Sequence, residues 1–79
     1  MSARPLSRPR RRVLELVGSG RIRGGVGLRP YDALGRDDDF SRRSLFAAQR
    51  AGEVDLNVVT GLYFLTDHGR ALLRREEDR

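Results

Sequence analysis

No cysteine occurs in these 79 residues, so whatever keeps the chain folded has to come from a hydrophobic core without covalent help. A chain this short has room for one domain. With 38% apolar and 6% aromatic residues against 34% charged ones, the core must be thin and built from aliphatic side chains. A large enclosed active-site cavity is not expected. The missing thiols exclude a thiolate nucleophile and a cysteine-bound zinc, and they point to a reducing compartment. His68 is the single histidine, which excludes histidine-rich metal sites.

All sixteen basic residues are arginine and none is lysine. Lysine Schiff-base chemistry, a P-loop lysine and a lysine general base are therefore excluded. A GC-rich coding genome produces the same bias, so the position of the charge says more than its amount. Residues 1–36 hold nine arginines against Glu15 and Asp32, a balance of +7, and residues 37–79 hold seven arginines against nine acids, a balance of −2. The first twelve residues carry Arg4, Arg8, Arg10, Arg11 and Arg12 with two prolines, two serines and no acid. Residues 1–8 are expected to form a flexible basic arm that lies on phosphates or enters a minor groove. Residues 9–75 then form the domain, and residues 76–79 a disordered charged tail. No apolar run approaches the roughly 18 residues of a membrane span, and the stretch 13–17 is too short for a signal peptide. A soluble, cytoplasmic protein is the expectation.

Along the chain, Ser7 is a helix cap with Pro9 tolerated in the first turn. The helix carries Val13, Leu14, Leu16 and Val17 on its apolar side and stops at Gly18. Five glycines in residues 18–27 predict a loop, with Ile22 between Arg21 and Arg23 as a brief edge strand. Pro30 then starts a short second helix to Leu34, with Tyr31 and Leu34 on one face and Gly35 as its stop. After the Asp37, Asp38, Asp39 break, Ser41 caps a helix to about Ala51 that ends at Gly52. Leu45 and Ala48 face the core of that helix, Arg43, Ala47 and Arg50 face away, and Arg42 and Gln49 lie at the boundary. Phe46 either flanks the core or sits half exposed. Val54 and Leu56 alternate with Glu53 and Asp55 as in a half-buried strand, residues 57–61 turn, and residues 62–65 return. Thr66 caps a last helix bearing Leu72 and Leu73, and residues 74–79 dissolve into charge.

From Phe40 to Leu73 the chain resembles the back half of a winged helix-turn-helix domain of the small bacterial or phage type. A serine-capped helix ends at a glycine, a hairpin follows, and Leu65, Thr66, Gly69, Arg70, Leu72 and Leu73 match the segment that leads from wing to closing helix. The resemblance implies an α+β fold of about three to four helices with a short β-hairpin wing. It also implies DNA binding, with helix 41–51 in the major groove. Carried over by position, Ser41, Arg42, Arg43 and Ser44 start the recognition helix, and Gln49 and Arg50 lie further along it. The connection 35–40 is longer and more acidic than the family's tight turn, and the wing tip carries no basic residue. Gly69 is read as a close-packing position in the first turn of the closing helix.

An arginine fork matches guanine O6/N7 and phosphate alike, so Arg42 and Arg43 are candidate contacts, phosphate ahead of base. Arg8, Arg10, Arg11 and Arg12 join them from the arm and the first helix. Gly18, Ser19 and Gly20 follow a helix, not a strand, and do not make a nucleotide loop. The aspartate triplet lacks calcium-loop spacing. His68 beside Asp67 has no nucleophile near it, so no catalytic site is expected, nor a cofactor. Strand alternation buries one of Tyr63 and Phe64. The expected partner is double-stranded DNA. The alternative is a protein partner docking through Val58, Val59 and the acidic back half, and a weaker one is RNA on the arginine-rich arm. A thin core and the two-fold symmetry of many DNA sites also suggest a homodimer through the first and last helices.

Overall fold

The computed structural model describes residues 6–25, 27–35 and 40–78. The expectations for the arm over residues 1–5 and for the aspartate triplet lie outside them. Seven elements follow one another: α1 (Arg8–Gly18), β1 (Ile22–Gly25), β2 (Leu28–Asp32), α2 (Arg42–Arg50), β3 (Val54–Asn57), β4 (Leu62–Leu65) and α3 (Asp67–Glu77). All strand pairs are antiparallel, and the sheet order is β2-β1-β4-β3. Among the described residues no helix is long and apolar enough to cross a membrane.

This architecture corrects the expected winged helix-turn-helix. Three helices stand with a four-stranded sheet, and the short helix expected at residues 30–34 is replaced by strand β2. The reason lies in which residues turn inward. A helix reading puts Tyr31 and Leu34 in the core, yet they are 40% and 59% exposed, while Pro30 and Asp32 are buried. Pro30 lacks an N–H to donate, which an edge strand tolerates. Asp32 is taken up by Arg21, whose Nε and Nη2 reach its two oxygens at 3.2 and 2.6 Å. The segment therefore alternates as a strand whose inward residues are not the apolar ones. Among the described residues no helix stands between α1 and α2, where a helix-turn-helix would place one before its recognition helix. Nor is β1 an edge strand: it lies between β2 and β4, with Ile22 fully buried.

Helix boundaries follow the capping chemistry. Ser7, Ser41 and Thr66 each accept a hydrogen bond from the amide three residues on. α1 runs through Gly18 instead of stopping there. Its left-handed residue is Gly20, whose N–H donates to Val17 O, while Arg21 N–H donates to Leu16 O, the paired bonds of a Schellman ending. The core joins Val13, Leu14, Leu16 and Val17 of α1 to Leu45 and Ala48 of α2, Ile22, Val54, Tyr63, Leu65 and Phe40. Phe46 is 42% exposed, and of the aromatic pair Tyr63 is buried while Phe64 is 42% exposed.

The closing helix also corrects the expected tail, because α3 continues to Glu77. Glu76 lies one helical turn beyond Leu72 and Leu73 on the inner side, and its Oε1 accepts the Leu6 N–H at 3.0 Å. Leu6 itself packs on the core. The two ends of the described chain are thus joined, and the domain includes residue 6, ahead of its expected start at residue 9. Gly69 is the close-packing position expected: a Cβ there would stand 1.9 Å from the Glu53 carbonyl oxygen.

Candidate nucleic-acid interface

The arginines divide by whether the fold has already neutralised them. Arg10 lies on the inner side of α1, and its Nε and Nη2 donate to the two carboxylate oxygens of Glu53 at 2.7 and 2.8 Å. Glu53 is 5% exposed. Arg10, expected as a phosphate contact, is engaged in a structural ion pair within the fold. The geometry is bidentate, the form in which a guanidinium best offsets carboxylate desolvation. Arg21 does the same for Asp32, and Arg70 pairs with Asp67 within one turn of α3. Arg42 is held too: its Nε donates to Pro30 O at 2.8 Å, and its guanidinium lies 4.9 Å from the Phe40 ring centroid. It braces the start of α2 against β2. Arg12 is exposed but already engaged within the molecule.

The remaining expected contacts face outward. On α1, Arg8 is exposed and Arg11 half-buried, on the side opposite Val13 and Val17. On α2, Arg43 and Arg50 are exposed, away from Leu45 and Ala48. Among the described residues none of these four has a carboxylate partner. Arg43 and Arg50 are about 10 Å apart along the axis of α2. Gln49 lines an open hollow of about 550 Å³ with Phe46 and Arg50. Ser41 and Ser44 are half-buried, and the Ser41 Oγ takes the Ser44 amide at 3.1 Å, so the cap is spent on the helix itself.

The Arg10–Glu53 pair ties the first turn of α1 to the residue that precedes β3, three positions beyond the end of α2. Sequence reasoning missed the three buried carboxylates, Asp32, Glu53 and Glu76. Glu53 and Asp55 sit two apart in an alternating segment and look equivalent, and only the position of Arg10, 43 residues away, separates them. The exposed sheet residues Tyr31 and Phe64 were not singled out as a pair either, because they come from different hairpins. Comparison of the chain with protein-family models, with curated proteins and with solved structures gives no match, so its geometry alone guides the functional reading.

Proposed function

We propose that this protein binds double-stranded DNA without catalysing a reaction, as a regulator or architectural factor whose contacts are mainly to phosphates. The observation that carries this reading is the division of the arginines: Arg10 and Arg21 are neutralised by buried carboxylates, whereas Arg8, Arg11, Arg43 and Arg50 have no carboxylate partner among the described residues. With sixteen arginines against eleven carboxylates the chain has a surplus of cations, and these four are left for an external anion. A polyanion with closely spaced charges fits them best, since each neutralised phosphate releases counterions. The outer face of α2, with Arg43 and Arg50 flanking the small Ala47, is the surface that would approach a groove. A cytoplasmic location goes with this reading.

The test is a salt titration of binding to a short duplex. Four phosphate contacts predict a slope of roughly −3 to −4 in log affinity against log salt. Arg43→Glu with Arg50→Glu should remove most binding without unfolding the chain, and absence of duplex binding at low salt would end this reading. A second reading, docking on a protein partner, is favoured by Val58 and Val59, 72% and 91% exposed at the β3–β4 turn. It predicts that Val59→Ser disrupts partner capture and that the charge reversals do not.

A further inference from the structure

We propose that the open face of the sheet is a separate binding surface for single-stranded nucleic acid, with Tyr31 and Phe64 stacking on bases and Arg23 holding the phosphate between them. The strands turn Ile22, Val54, Tyr63 and Leu65 toward the helices, where all four are buried. By alternation their neighbours point to the other side. There the pairing Tyr31↔Arg23, Arg23↔Leu62 and Asn57↔Leu62 lines up one residue from each strand in a single row, β2 to β3. Phe64 stands two residues along from Leu62 on the same face, opposite Asp55.

Three features of this face suit an unstacked strand. Tyr31 and Phe64 are 40% and 42% exposed, and at the usual strand spacing they stand about 10–12 Å apart, with Arg23 on the strand between. Rings so placed can each take a base whose backbone crosses the arginine. The charge is also right: Arg23 and Arg29, both exposed on the β1–β2 hairpin, have no carboxylate partner among the described residues. The sole acid on the outward side of the described strands is Asp55, at the far edge, where its Oδ1 accepts the Leu56 amide. Finally, a duplex hides base faces in its stack, so exposed rings on a sheet select single strands. DNA and RNA present the same stacking face and phosphate.

The experiment uses the full chain with fluorescein-labelled oligothymidylate and oligouridylate of twelve nucleotides at low salt, followed by anisotropy, with a duplex of equal length beside them. Phe64→Ala and Tyr31→Ala should each weaken single-strand binding about tenfold and leave duplex binding within about twofold, with circular dichroism unchanged. Arg23→Gln should weaken it less. Tighter binding of either oligomer supports the proposal and identifies the sugar preferred. Failure to bind both oligomers, or equal binding by the aromatic variants and the parent, overturns it. So does a Phe64→Ala effect confined to sedimentation, which would assign the face to a second copy of the chain. The proposal does not rest on duplex binding: loss of duplex affinity alone would overturn the earlier reading and leave this one standing.

Discussion

The two hairpins are of nearly equal size and are held in opposite ways. β3 and β4 pair in unbroken register over Val54↔Leu65 to Asn57↔Leu62 and lie against all three helices. β1 and β2 slip register between Arg23 and Gly25 and join the body through β4, where one residue pair, Arg23↔Leu62, is backed by the Gly24 amide on Gly61 O at 2.8 Å. Where apolar packing is plentiful, charge is used at the margin. Where the inward residues beside Ile22 are Gly24, Pro30 and Asp32, an ion pair supplements the packing. The difference also leaves Arg23 and Arg29 exposed on the less buried hairpin.

The largest expected effect tests how tightly the second hairpin is clamped. Gly69→Ala forces a methyl into the Glu53 carbonyl, which also receives the Thr66 amide, so the backbone must part. Urea denaturation should show a loss of about 3 kcal/mol or more. A loss below about 1 kcal/mol would mean the α3–β3 junction yields easily. By contrast Gly25→Ala, with open space around its Cβ, should be neutral or gain up to about 1 kcal/mol.

Next come the ion pairs. Arg10→Ala takes the guanidinium from the Glu53 carboxylate, and Arg21→Ala takes it from Asp32, whose side chain is fully buried and also accepts the Leu34 amide at 3.1 Å. Each is expected to lower stability by about 2–4 kcal/mol, the partial exposure of both arginines moderating the figure for a fully buried pair. The two should differ in reach. Loss of the Arg10 pair loosens the α1–α2 contact and the whole domain, whereas loss of the Arg21 pair should raise hydrogen exchange in β1 and β2 ahead of β3 and β4. Equal exchange across all four strands would erase the distinction drawn between the hairpins.

A smaller effect concerns Tyr63, which belongs to the second hairpin yet covers Gly24 of the first. Burial raises its phenol above the ordinary value near 10. The unfolded chain ionises first, so this group's contribution is fully present below the ordinary value and is lost as pH rises from there through the raised value of the folded state. Tyr63→Phe should flatten the alkaline decline in stability, measured by thermal melts between pH 8 and about 11. Smallest of all, Val58→Ser should change stability by less than about 0.5 kcal/mol, since Val58 is 72% exposed at the turn.

Much of the fold was legible where local chemistry and burial agree. The serine and threonine caps, the apolar side of α1, the inner face of α2 and the hairpin β3–β4 could all be read from the chain, because there the buried residues are also the apolar ones. Residues 28–32 could not be read, since their buried members are Pro30 and Asp32. The candidate site was legible in its outward arginines, Arg43 and Arg50, from helical projection alone. It was not legible in Arg10 or Arg42, whose partners, Glu53 and the Pro30 carbonyl, lie far along the chain or in a strand read as a helix.

The sequence by itself determined where helices start, which residues form the core of α1 and α2, and that most of the positive charge lies toward the front. Those follow from short-range capping and periodicity, which act within a few residues. Tertiary structure alone decided which arginines stay available, that the front segment joins the back hairpin in one sheet, and that Tyr31 and Phe64 share a face. Each of these depends on pairing between residues tens of positions apart, and no local pattern encodes which distant carboxylate or strand a side chain will meet.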